Sequence, residues 1–219
     1  MKLFFAFCKA KLLVWVRRLS LLPEESFQWG GRRGRPESKG GYKDGEQDGP
    51  WEIYYDNGQL EFRGTYKAGR RDGPWEMYYA SGQLKIRGYS QNGVPHGLFE
   101  RYYENGQLSE RHACERGEQH GPYEKYHQNG QLQEQGAYKD LKLVGPIKIF
   151  YPNGQLRRAG DYVDGHRHGP WEFYYNNAQL GKAGSYIDGQ QDGPWKHFDE
   201  SGNQQPTRYY KDGRELTQA

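Results

Sequence analysis

The chain has 219 residues, of which 34% are hydrophobic, 16% are aromatic and 31 are glycine. A typical globular domain carries roughly 45–50% apolar residues, and a disordered chain is poor in aromatics, so neither a thick aliphatic core nor simple disorder fits. Residues 1–40 hold nine of the 31 basic and three of the 28 acidic residues, which leaves a body with 22 basic and 25 acidic side chains. A nucleic-acid binder concentrates positive charge on its folded module, so nucleic acid is excluded as the expected partner.

The N-terminal stretch, MKLFFAFCKAKLLVWVRRLSLLP, is basic and apolar. Lys9 and Lys11 interrupt its apolar run, leaving it short of the roughly 20 residues a membrane span needs. Residues 1–29 are read as a leader, with an amphipathic helix, a membrane anchor and a degenerate signal all left open. Leu12, Leu13, Val14 and Trp15 suit covering the apolar residues Ile53, Phe62, Met77 and Ile86. Residues 30–41, with GGRRGRPESKGG, read as a flexible linker. Cytoplasmic residence is favoured, with membrane association or the periplasm as alternatives.

From residue 42 to 213 one theme recurs. Gly49, Gly73, Gly97, Gly121, Gly145, Gly169 and Gly193 mark a period of 24 residues, and residues 214–219 are left as a tail. Each unit carries a central turn, such as Asn57-Gly58 or Asn105-Gly106, and a second of the Asp44-Gly45 type. Both dipeptides accept the positive φ of tight hairpins, and the intervening Trp, Tyr, Phe and Ile are strand formers. The expected fold is all-β: an elongated, single-layer antiparallel meander of seven 24-residue hairpins, with a short helix allowed only at the N-terminus. Fourteen strands at about 4.8 Å each give a ribbon about 65 Å long.

If Asn57-Gly58 is a two-residue loop, Asp56 pairs with Gln59, Tyr55 with Leu60, Ile53 with Phe62 and Trp51 with Gly64. Glu52 then faces Arg63 on the opposite side. The copies support this register, because Met77/Ile86 is apolar while Arg101/Glu110 and Lys125/Glu134 are opposite charges. Later pairs, Ile149/Arg158 and Phe173/Lys182, are mixed. The unit G-P-W-E-x-Y-Y-x-N-G-Q-L-x-x-x-G-x-Y-x-D-G resembles the bacterial variant of the MORN repeat over about residues 40–213. Departures occur at Ile147 and Leu141, which replace the Trp and the turn Gly, and at Asp199 and Asn203 in the last unit. The resemblance implies the fold and, through antitoxin and immunity proteins among similar repeats, a partner that is a cognate protein toxin or effector.

No Gly-rich phosphate loop, nucleophile elbow or HExxH motif is present, and a non-enzymatic protein without cofactor or metal is expected. His96, His120 and His168 recur where other units have Asp and read as turn residues. Cys114 reads as a packed substitute for Tyr. Aromatic and Arg side chains left on an open ribbon suit a binding surface. The candidate partner-binding residues are therefore Trp51, Ile53, Trp75, Met77, Tyr79, Arg101, Tyr103, Lys125, Ile149, Trp171 and Phe173. The expected activity is occlusion of the bound toxin. A membrane scaffold engaged through residues 1–29 is the rival reading, and an exported carbohydrate-binding ribbon is a third.

Overall fold

The computed structural model describes residues 37–216. The leader assignment and residues 30–36 of the linker lie outside them. Strand β1 is Ser38–Lys43, β2 Glu46–Tyr54, β3 Leu60–Lys67, β4 Arg70–Tyr78 and β5 Leu84–Gln91. Strands β6 Val94–Tyr102, β7 Leu108–Glu115, β8 Glu118–Tyr126, β9 Leu132–Lys139 and β10 Lys142–Phe150 come next. The series ends with β11 Leu156–Val163, β12 His166–Tyr174, β13 Leu180–Ile187, β14 Gln190–Phe198, β15 Gln204–Lys211 and β16 Arg214–Leu216.

All sixteen strands form one open sheet in sequence order, each antiparallel to the next. The sheet exceeds the expected fourteen strands because the half units at both ends are strands too. Residues 38–41, assigned from sequence to the linker, pair with β2, and Leu216, Glu215 and Arg214 of the assigned tail pair with β15.

The two turns of each unit differ. Asp44 and Gly45 have φ of 54° and 81° and connect the Lys43–Glu46 pair, the two-residue hairpin expected from the sequence. The Asn-Gly turn is not of that kind. Gly58 N donates to Tyr55 O at 2.9 Å and Tyr55 N donates to Gln59 O at 2.8 Å, so the turn runs over residues 55–58. Only Gly58 takes positive φ, at 82°, and the register slips between the Ile53–Phe62 and Tyr54–Leu60 pairs. The expected Asp56–Gln59 and Tyr55–Leu60 pairs are therefore corrected. Asn57 enters as a turn-fixing side chain, its Oδ1 accepting from Gln59 N at 3.0 Å.

Beyond that slip the register is the expected one. Trp51 pairs with Gly64, Glu52 with Arg63, Met77 with Ile86, Arg101 with Glu110 and Lys125 with Glu134. A feature missed in the sequence is a bulge at each Gly-Pro. Trp51 opposes Gly40 and Asp48 opposes Gly41, leaving Gly49 and Pro50 extra on β2, with Gly49 at φ 83°. Such bulges increase the local right-handed twist.

A row of large side chains is buried on one face: Trp51, Trp75, Phe99, Tyr123, Ile147, Trp171 and Trp195. The glycines opposite make room for them. A Cβ on Gly160 would lie 2.3 Å from Trp171 Cδ2, and one on Gly184 the same distance from Trp195 Cδ2. Flanking tyrosines close edge-on over Trp51, Trp171 and Trp195, as Tyr162 and Tyr186 do to Trp171 at centroid distances of 5.4 and 5.9 Å. Cys114 occupies this tyrosine row, opposite Gly97 and half-buried.

Candidate protein-binding surface

Five of the candidate binding residues belong to the core. Trp51, Ile53, Trp75, Ile149 and Trp171 are each no more than 7% exposed, which withdraws them from direct contact with a partner. An aromatic residue on a thin sheet signals surface only while the glycine beneath its ring and the flanking Tyr over it are considered separately. Met77, Tyr79, Tyr103, Lys125 and Phe173 are half-buried, and Arg101 is exposed.

Tyr79 and Tyr103 have a structural task. Tyr79 Oη donates to Tyr102 O at 2.8 Å and Tyr103 Oη to Tyr126 O at 2.7 Å, in each case the same strand position of the next unit. Tyr55, Tyr151 and Tyr175 repeat the bond, and His127 Nε2 stands in for the hydroxyl, 3.1 Å from Phe150 O. A second ladder runs beside it: Asn57 Nδ2 donates to Ala80 O at 2.9 Å, Asn105 to Gln128 O, Asn129 to Pro152 O, Asn153 to Asn176 O and Asn177 to Glu200 O. Each of these central turns is thus tied to the next one along the chain.

On the opposite face the Glu and Arg side chains pair, but between units. Arg63, in register with Glu52 of its own hairpin, bonds Glu76 of the next strand at 2.5 Å. Arg87–Glu100 and Arg111–Glu124 repeat this, so the within-unit ion pairs expected from sequence are corrected. Each Glu also accepts a tyrosine hydroxyl two residues on, as Glu76 does from Tyr78 at 2.5 Å and Glu124 from Tyr126. The Arg111 guanidinium and the Tyr126 hydroxyl hold the Glu124 carboxyl below the usual carboxylate range. Burial and the Glu76 carboxylate push the Tyr78 phenol up to about 12.

The column next to the buried row is the variable one. In the first units it is apolar, with Ile53, Phe62, Met77 and Ile86 adjoining across three strand pairs. In the middle it alternates charge through Arg101, Glu110, Lys125 and Glu134. Burial raises the Glu110 carboxyl, but His112, Lys125 and Arg101 around it outweigh that and bring it below its ordinary value. In the last third Arg158, Phe173, Lys182 and His197 adjoin, two full cations with no carboxylate in the column between them.

On the outer face, Tyr89 pairs with Pro74 and is 41% exposed, while Leu98 pairs with Ala113 and is 55% exposed. These exposed apolar residues were missed in the sequence because both break a column. Leu98 stands where the other units have Pro, and Tyr89 where most have a small or polar residue. Among the described residues, no group of three or more His, Cys, Asp or Glu side chains is placed to share a metal ion.

A comparison with curated proteins found no match. Among solved structures, one described as "Crystal structure of GtfA/B complex bound to UDP and GlcNAc" aligns at 12% identity and a TM-score of 0.26. The alignment covers 61% of this chain and 25% of that one, a likeness too slight to carry an argument about function. The family described as MORN repeat variant matches residues 47–68, 71–92, 95–112, 119–140 and 143–164. The same antiparallel pairing and the same Tyr and Asn ties continue beyond the last match. The array is accordingly a repeat protein built on the MORN variant unit, recognised in five of its copies.

Proposed function

We propose that this protein is a non-enzymatic binding protein whose partner is another protein, neutralised by being covered. The observation that carries this reading is the split between constant and variable positions. The Tyr and Asn ties and the buried row repeat from unit to unit, whereas one cross-strand column passes from apolar through ion-paired to cationic. A scaffold repeated so strictly gives a rigid backbone, and a column that changes along it gives each part of a large partner its own contact. The exposed Tyr89 and Leu98 add an apolar patch on the outer face, of the kind that marks interaction sites. A cognate toxin or effector is the partner proposed, an extension of the resemblance to antitoxin and immunity-type repeats.

The test is capture from source cells with the tagged full chain, followed by mass spectrometry. A stoichiometric protein with a toxic enzymatic domain is the expected result. The double variant Leu98→Glu, Arg101→Glu places new charge on both faces at exposed positions and should weaken capture at least tenfold while far-UV and near-UV spectra stay unchanged. Capture of no protein by the wild-type chain would overturn the reading.

A further inference from the structure

Unit six carries a glycine, Gly181, beside its turn tyrosine, and this glycine lies on the wall of a depression. In units two and five the residue just after the leucine that ends the central turn reaches over the turn tyrosine. Lys85 Nζ lies 5.2 Å from the centroid of the Tyr79 ring, and the Arg157 guanidinium 5.6 Å from that of Tyr151. In unit six this position is Gly181, which has no side chain to lay over Tyr175; a Cβ there would lie 3.0 Å from Tyr175 Cε2. Beside it lies an open depression of about 600 Å³ whose walls include Tyr175, Phe173, Lys182, His197 and Arg208.

Its charge is one-sided. Lys182 Nζ lies 4.7 Å from the Phe173 ring centroid, and the Arg167 guanidinium lies 6.0 Å from the same ring on its way to Tyr186. Arg158, in register with Phe173, is half-buried and its Nε has no hydrogen-bond partner. The carboxylate on the rim, Asp199, is engaged by the backbone N–H groups of Ser201 and Asn203 and by Asn203 Nδ2. Arg208 is 3.6 Å from Glu215, and both side chains are about half exposed. In the middle units every cation of the same column has a carboxylate beside it, as Lys125 has Glu134 at 3.6 Å. In the column here Lys182 stands between Phe173 and His197 in place of a carboxylate.

We propose that this depression binds an acidic peptide segment of the protein partner, its carboxylates on Lys182 and Arg208 and an apolar side chain on the ring of Tyr175. The proposal rests on the binding function above and places one contact of it. Charge complementarity decides the occupant. A nucleic acid needs a long cationic track where this site offers a few charges around one recess. Carboxylates beside half-desolvated cations gain more than on an open surface.

The probe is a fluorescein-labelled decapeptide of alternating Glu and Leu, titrated with the full chain and read by anisotropy. Saturable binding that weakens with added salt is expected, with at least a tenfold loss in Lys182→Met and in Arg208→Met, which keep the aliphatic stems. Lys148→Gln and Lys196→Gln, exposed cations on the opposite face, should leave it unchanged. The deciding variant is Gly181→Arg, which adds a positive charge but covers the ring as Arg157 covers Tyr151. A recessed site predicts lost binding, whereas diffuse electrostatic attraction predicts a gain. No saturable binding, a gain in Gly181→Arg, or tighter binding of a ten-residue oligothymidylate each overturns the proposal. If Lys182→Met still captures the partner at full strength, the depression is wrong and the binding function stands. If the decapeptide binds but no protein is captured, the reverse holds.

Discussion

Gly160 sits beneath the Trp171 indole with no room for a methyl group, an added Cβ falling 2.3 Å from Cδ2. Trp171 is 1% exposed and cannot swing into water without leaving the core. Gly160→Ala should therefore cost about 1–3 kcal/mol, the range for overpacking a filled core, read from urea unfolding midpoints. Leu141 is the opposite case. It occupies the second place of a two-residue hairpin turn at φ 63°, where the other such turns have Gly, and its side chain is 37% exposed. Leu141→Gly relieves the left-handed strain, loses little packing and adds unfolded-state freedom, for a net gain of about 0.5–1 kcal/mol. A lower unfolding midpoint in that variant would show that the side chain matters more than the backbone. Tyr78 adds a pH dependence. Burial and its bond to Glu76 push the phenol up to about 12, so the fold prefers the protonated form. Its contribution is complete below the ordinary phenol value near 10 and is lost as pH rises from there towards 12. Tyr78→Phe should flatten the alkaline limb of the stability profile over that interval.

The hairpin is the element most open to reading from sequence, and the reasons are local. Trp51 over Gly64, Glu52 beside Arg63 and the charge-matched Arg101–Glu110 pair all come from counting outward symmetrically from a turn. The count fails only at the turn itself. Asn-Gly suits a two-residue loop, but the side chain of Asn57 holds the backbone of Gln59 and so fixes a four-residue turn instead. Beyond a single hairpin the order of the strands is legible in the sequence, but the side-chain contacts between units are not. Arg63 stands in register with both Glu52 and Glu76 and its ion pair goes to the second, in the next unit, and the ties from Tyr and Asn reach 23 residues ahead. Those same ties engage Tyr79 and Tyr103, whose hydroxyls the sequence of one unit leaves free for a partner. Tyr103→Phe, which removes one hydroxyl bond to a carbonyl and little else, should cost about 1 kcal/mol. Asn153→Ala should cost more, about 1–2 kcal/mol, because Asn153 serves both Gln155 N in its own turn and Asn176 O in the next. Equal losses in the two variants would mean that the turn bond contributes nothing.

The whole sheet is a line of interchangeable steps, bounded at its C-terminal edge by changes in the pattern. Pro206 lies in β15 beyond the reach of the three-residue β16, and Arg208 stands opposite Trp195 where the other Trp residues face Gly. Proline removes a donor from that edge and arginine charges it, two features that discourage a further strand from adding there. Interior units carry no such marks, so one of them should be removable. Deleting residues 97–120 takes out one full period and joins His96 to Gly121, preserving strand direction, the Gly-Pro bulge and the alternation of faces. The Arg87 side chain then meets Glu124 in place of Glu100, and Tyr123 replaces Phe99 beside Trp75, both substitutions of like for like. This shortened chain should fold, unfold with a denaturant slope reduced in proportion to the surface removed, and keep its C-terminal depression intact. Removing only residues 97–108, half a period, joins a strand to a strand of the wrong direction and should leave no cooperative transition. If the full-period deletion fails to fold while the wild-type chain is stable, coupling in this sheet extends beyond neighbouring units, and the steps are not interchangeable after all.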